Sequence, residues 1–188
     1  MAVDAQILEG ARLAAGKYGW EGATLERIAE EAGMSRMTLH RRGATREAIL
    51  EGLRDQFEAA YRDRLWPFLT AGGSARARLE GALGELCVIN EDNLDLLDAL
   101  GRRAEALFHE PGEGAVDTRP PFTEAVARLL RDGALDGSLS PADPDEDATV
   151  LVNLVNHTYR HLRLGHRWPV ERARDAVVRL VVDGVSAR

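Results

Sequence analysis

The chain has one cysteine, Cys87, in 188 residues. No intramolecular disulfide can form, and nothing points to an oxidising compartment. No apolar run reaches the roughly 20 residues that a helix needs to cross a bilayer. The opening "MAVDAQILEGARLAAGKYGW" lacks the basic start and unbroken apolar stretch of a secretory signal, so a cytoplasmic protein with no membrane partner is expected. Alternating apolar and polar residues are almost absent. The β-branched residues concentrate in "ATVLVNLV" and "AVVRLVV", whose apolar positions recur at helical spacing, so a β fold is excluded and an all-α fold expected. Internal repeats and low-complexity segments are missing as well. Catalytic groupings are also missing. The glycines of "PGEGA" stand without the strand, lysine and hydroxyl of a phosphate loop, and "EGALGELCV" has no histidine placed to activate its cysteine. An enzyme is not expected, and neither is a cofactor.

What the chain has is a core's worth of apolar residues, 45%, with 29% charged, enough for one good domain or for a small one joined to a medium one. Its formal charge of −7 is unevenly spread. Residues 1–50 hold seven basic and seven acidic residues, while the remaining 138 hold 17 and 24. Within the neutral head, "MSRMTLHRRGATREAIL" gathers Arg36, His40, Arg41, Arg42 and Arg46 with no acid before Glu47. A basic run on a helix is usually only a solvated face. Screening beyond about 8–10 Å hides the distant acids, so this stripe can still hold a polyanion.

Helix signals follow one another along the chain. The first helix is expected from about Asp4 to Tyr18, with Ile7, Leu8, Ala11, Ala14, Ala15 and Tyr18 on one face and "YGWEG" closing it. Thr24 can cap "LERIAEEA", which Gly33 ends, and Ser35 can cap "RMTLHRR", which Gly43 ends. A fourth helix begins after Thr45 and runs to Pro67 or a little beyond, with Ile49, Leu53, Phe57, Ala60 and Leu65 as its stripe. Ser74 caps a fifth to about Asn90. "DNLDLLDALGRRAEALF" reads as a sixth, and "HEPGEGAVDTRPP" as the main loop. A seventh is expected over about 120–132. Asp143, Pro144 and Glu146 open an eighth, to about 164, and the ninth follows Pro169.

"ATLERIAEEAGMSRMTLHRRGATREAIL" resembles the helix-turn-helix of the TetR (tetracycline-repressor-like) family. Thr24, Ile28, Ala29, Ala32, Gly33, Ser35, Thr38, Leu39, Glu47 and Leu50 match its usual wording in register. The length and the nine-helix layout agree. The resemblance implies a DNA-binding head over 1–46 and a ligand-binding and dimerisation body over 47–188. In three places the chain departs from the family: His40 and Gly43 stand where it has Tyr and Phe, and Ala14 where it has Phe. Tyr18, Trp20, Met34 and Met37 are expected to refill that space.

A short helix opened by a capping serine can lie in the major groove with its first turn at the base edges. Arg36, in that turn, can give two hydrogen bonds to guanine. Met37 can touch a thymine methyl, and Thr38 a base or phosphate. By resemblance, His40 takes the place of the family's phosphate-binding tyrosine, and Arg42 and Arg46 match its phosphate contacts, with Arg41 beside them. Thr24 and Thr45, with the amides they open, add anion sites.

The resemblance further implies an effector pocket among the fifth to seventh helices and a symmetric interface of the eighth and ninth. Candidates for the pocket are Leu86, Cys87, Asn90, Leu97, Phe108, Phe122, Val126, Val155 and Tyr159, a mostly apolar set suited to a hydrophobic small molecule. For the interface they are Val152, Val155, Tyr159, Val178, Val181 and Val182. His157 and His161, one turn apart, could hold a metal with His109 or an acid as third ligand, but a structural or interface role is expected and no metal. Cys87, among apolar neighbours, is expected buried and inert. Asp92, Asp95 and Asp98 are expected to face solvent. Three function classes follow: a dimeric repressor on a palindromic double-stranded operator released by a small apolar effector, a DNA-binding dimer with no effector or one controlled by a protein partner, and a small helical-bundle enzyme.

Overall fold

The computed structural model describes residues 3–111 and 116–187. In chain order the helices are α1 (Ala5–Gly22), α2 (Leu25–Glu31), α3 (Arg36–Arg41), α4 (Arg46–Thr70), α5 (Ala75–Asp92), α6 (Leu94–Leu100), a 3-10 turn at Gly101–Ala104, α7 (Glu105–Phe108), α8 (Pro120–Asp136), α9 (Pro144–Leu164) and α10 (Val170–Val185). The fold is all-α apart from two short paired strands, β1 (His109–Pro111) and β2 (Val116–Thr118). They lie within the expected main loop, whose residues 112–115 are outside the described residues. Among the described residues, no helix is long and apolar enough to cross a membrane.

Two compact units divide the chain, and the boundary falls inside α4. The first comprises the residues up to Phe57 together with Asn93–His109. Its core is the apolar stripe expected of α1 (Ile7, Leu8, Ala11, Ala14, Ala15), joined by Ile28 and Ala29 of α2, Leu39 of α3, Ile49 and Leu53 of α4, and Leu96, Leu97 and Leu100 of α6. Gly10 lets α1 and α2 touch: a Cβ there would come within 2.7 Å of both the Ala32 Cβ and the Ile28 carbonyl oxygen. Arg12 bridges three segments of this unit, donating to the Asn93 side-chain oxygen and, at 2.9 Å, to Gln56 Oε1. Burial holds its pKa below the usual arginine range, against a smaller opposing effect of Glu9.

The second unit holds Glu58–Asp92 and the chain from Glu110 onward. Here α5 packs against α8, α9 and α10. Leu79, Leu83, Leu86, Phe122, Val126, Leu129, Leu130, Leu151 and Val177 fill the middle. The amides opening α5 are satisfied by side chains at and just after the end of α8: Ala75 N donates to Asp136 Oδ2 at 2.7 Å and Arg76 N to Ser138 Oγ at 3.1 Å. Asp143 caps α9 as expected, accepting from Asp145 N at 2.9 Å and Glu146 N at 3.2 Å.

Several expected boundaries move. The sixth helix is not continuous, because Gly101 takes φ 52, in the left-handed region, and breaks it after Leu100. The first helix continues past Tyr18 to Gly22 across a kink at Gly19, and the helix expected over 120–132 runs on to Asp136.

Candidate nucleic-acid interface

Local caps shape the head. Arg27 N donates to Thr24 Oγ1 at 3.4 Å, Thr38 N to Ser35 Oγ at 3.1 Å, and Ala48 N to Thr45 Oγ1 at 3.1 Å, so each expected cap residue opens its helix. Gly33, at φ 64, supplies the left-handed step between α2 and α3 that a side chain resists. Leu39 is buried and pins α3 to the core, which leaves Arg36, Met37, His40 and Arg41 on the outer face. Thr38 is half-buried, its hydroxyl 3.0 Å from Ser35 Oγ.

The space left by Ala14 is filled differently from expectation. Trp20 is buried and Met34 half-buried, but Tyr18 is exposed beneath Arg27, whose guanidinium stands 4.3 Å from its ring centre, and Met37 is 77% exposed. Only Trp20 and Met34 contribute to refilling. Met37 is thereby free to meet another molecule.

The arginines fall into three kinds. Arg41 is exposed and has no ion-pair partner among the described residues. Arg36 and Arg42 are exposed but tethered, to Glu26 at 2.7 Å and to Asp4 at 2.6 Å. Arg46 turns inward: it donates to the carbonyl oxygens of Ala23 at 2.9 Å and Trp20 at 2.8 Å and lies over the Trp20 ring. Its donors are thus engaged with the end of α1 rather than held out toward a phosphate.

In the second unit, the candidate pocket side chains Leu86, Cys87, Asn90, Phe122, Val126, Val155 and Tyr159 are buried, while Leu97 and Phe108 belong to the core of the first unit. Two side chains not anticipated there complete a buried polar group. Asn90 Nδ2 donates to Asn156 Oδ1 at 2.7 Å, and Asn156 Nδ2 lies 2.9 Å from the Tyr61 hydroxyl. The spacing carried the signal: Tyr61 continues the Phe57 stripe by four residues, and Asn156 lies on the face of Val152, Val155 and Tyr159. Burial pushes the Tyr61 hydroxyl pKa up and the Cys87 thiol up to about 12, so the thiol stays protonated and inert as expected. At the edge, Glu91 accepts from Arg163 Nη2 at 2.6 Å and from the Tyr159 hydroxyl at 2.9 Å. The hydrogen bond from Arg163 is the main cause holding Glu91 below the usual carboxylate range.

The six interface candidates Val152, Val155, Tyr159, Val178, Val181 and Val182 are all buried within the chain itself. In the single chain their side chains face its own core, and Val178 also lines a surface cleft. The outward stripe of α9 is instead Val150, Leu154, His157, His161 and Leu164, and on α10 it is Leu180, 63% exposed. A surface cleft of about 820 Å³ lies beside α10, lined by Phe68, Gly81, Val88, Val178, Arg172 and Arg179 among others. It shares only Val178 with the expected sites. Asp92, Asp95 and Asp98 are exposed, Asp92 paired with Arg64. Among the described residues, no group of three or more His, Cys, Asp and Glu is placed to hold a metal.

A helix-turn-helix whose short second helix shows a basic outer face is an arrangement that DNA-binding proteins use. Residues 7–53 match the family described as bacterial regulatory proteins, tetR family. No protein of curated function matches the chain in sequence. Solved structures share its fold over nearly the whole length. A TetR/AcrR-family transcriptional regulator from Thermobifida fusca is 22% identical, with 95% of this chain and 96% of that one covered and a TM-score of 0.69. AibR, solved with isovaleryl coenzyme A and operator DNA, is 17% identical with coverage of 93% and 95% and a TM-score of 0.69. A protein solved as the molecular basis for control of antibiotic production by bacterial hormones is 18% identical, with 97% of each chain covered and a TM-score of 0.73. The match to the tetR family thus covers the helix-turn-helix segment, and the solved structures share the fold of the chain.

Proposed function

We propose that the protein is a homodimeric repressor that binds a palindromic operator and is released by a small, mostly apolar effector, with residues 1–46 reading DNA and 47–188 sensing and pairing. The observation that carries this is the outer face of α3, where Arg36, Met37, His40 and Arg41 stand exposed together above the buried Leu39. Pairing is supported by the exposed apolar residues of α9 and α10: Val150, Leu154, Leu164 and Leu180 would lose their contact with water against a second copy. A symmetric pair places its two reading helices about 34–36 Å apart, one turn of DNA, or a multiple of it. Sensing is supported by the Tyr61–Asn156–Asn90 group inside an apolar core, the composition of a site for an apolar molecule with one or two polar atoms. AibR was solved with an acyl-coenzyme A and its operator, and an acyl group has that composition.

One observation favours a DNA-binding dimer without an effector: every candidate pocket side chain is already buried in the chain's own packing. A thermal-shift screen of apolar metabolites, followed by fluorescence-anisotropy titration of a selected operator, separates the two. Ligands that stabilise the protein and weaken operator binding support sensing. Stabilising ligands that leave operator affinity unchanged, or a screen with no stabilising ligand, remove it.

A further inference from the structure

Glu26 lies in the first turn of α2, its side chain 53% exposed, with Oε1 2.7 Å from Nη1 of Arg36. An acid on this face is unexpected, because phosphates repel it and its removal would strengthen binding to any duplex. It is ionised: a hydrogen bond from its own amide, and then Arg36 and Thr24, hold its pKa below the usual carboxylate range. We propose that Glu26 is a specificity-determining positioning residue, which grips one end of the Arg36 guanidinium and presents the opposite edge to a guanine. This rests on the assignment of α3 as the reading helix.

The chemistry follows from the shape of the guanidinium. Its donors are fixed in a plane, and the ion pair of Nη1 with Glu26 leaves the Nε and Nη2 hydrogens, which share an edge, for an acceptor pair such as guanine O6 and N7. An untethered arginine at the surface has several rotatable bonds and reaches phosphates, thymine O4 or adenine N7 as well as guanine. Fixing it before DNA arrives removes those choices and spares the ordering cost. The other tethered arginines do not compete for the role. Arg42 is held by Asp4 after the end of α3, and Arg46 is turned inward. Glu26 also complements the start of α2 electrostatically, but that contribution shows in stability alone and not in base preference.

The test is selection of duplexes from a random pool by the full-length wild type, Glu26→Gln, Glu26→Asp and Arg36→Ala, with thermal scans to establish that each variant is folded. The wild type should enrich a motif with guanine at one position of each half-site, and Arg36→Ala should lose that preference. In Glu26→Gln the preference should fall by about tenfold at that position and no other, while affinity for an unrelated duplex rises. Glu26→Asp, which keeps the charge, should retain most of it. A Glu26→Gln motif identical to that of the wild type overturns the proposal and leaves the regulator assignment standing. A guanine preference lost equally in Glu26→Asp and Glu26→Gln overturns it too. A folded wild type that enriches no motif overturns both.

Discussion

The Arg46 guanidinium lies 4.8 Å from the centre of the Trp20 ring and donates from Nη2 to the Trp20 carbonyl oxygen at 2.8 Å. With the second bond to Ala23, the arginine ties the end of α1 to the start of α4. Arg46→Ala should therefore lower the stability of the folded chain by about 1–3 kcal/mol, the range for hydrogen bonds to a charged donor plus a ring contact. The dependence of DNA affinity on salt should stay as it is. Denaturant titration and anisotropy at several salt concentrations check both parts. Full stability with a salt slope reduced by about one would restore the phosphate role.

The proposed dimer surface can be separated from the core by two substitutions on the same helix. Leu154 is 44% exposed and Val152 only 1%. Leu154→Arg should give a folded monomer, because a charge is placed where a partner must bury it. Val152→Arg should instead unfold the chain. Sedimentation and thermal melting distinguish them. A Leu154→Arg protein that remains a dimer places the interface elsewhere.

These cases show where the sequence was legible. Caps, turns and the matched helix-turn-helix are local, and short-range spacing determines them, so Thr24, Ser35, Thr45 and Asp143 cap where expected. The direction in which an amphipathic stripe faces is not local. Val152, Val155 and Val178 made the most apolar faces, and the chain's own core took them, leaving less conspicuous residues such as Leu154 and Leu180 on the outside. Arg46 shows the same limit: its position in the motif was plain, but its donors were claimed by carbonyls at the end of α1, more than 20 residues away. The break at Gly101 interrupts a leucine pattern that by itself reads as one helix.

Cys87 should resist modification while the chain is folded. Burial of its side chain holds the thiol protonated, with a pKa pushed up to about 12. Iodoacetamide at pH 8 should label it only as fast as the second unit opens, and labelling should become complete in denaturant. Rapid labelling of the native protein, followed by mass spectrometry, would contradict this burial.

Glu91 gives the protein a defined acid dependence. Its pKa is lowered from the ordinary 4.5, first by Arg163 and also by Tyr159, although the desolvation of its partly buried carboxyl opposes them. A depressed carboxylate stabilises the fold above its unfolded value and loses that contribution as pH falls through its folded value. Stability should therefore fall from about pH 4.5 downward, and Glu91→Gln should be less stable than the wild type at pH 7 with the difference narrowing across that window. Urea titrations from pH 7 to pH 3 measure it. A difference that is constant with pH removes the ion pair as the cause.

The buried polar group supplies the sharpest test of sensing. Asn156 joins Asn90, at 2.7 Å, to Tyr61, at 2.9 Å, where no solvent reaches. Asn156→Leu leaves the Asn90 amide and the Tyr61 hydroxyl short of a partner and should cost about 1–3 kcal/mol for each group left unsatisfied. Asn90→Leu with Asn156→Leu removes two of the three polar side chains and should recover part of that loss, since the remaining demand is smaller. An effector that enters this core must replace the bonds it interrupts, so its polar atom has to pair with the same groups. The double variant should then lose the thermal shift given by apolar ligands that carry a hydrogen-bonding atom, and keep the shift given by purely hydrocarbon ligands. Its operator affinity without ligand should match the wild type, because none of the three residues lies in the first unit. Effector response unchanged in the double variant would place the effector away from Asn90 and Asn156.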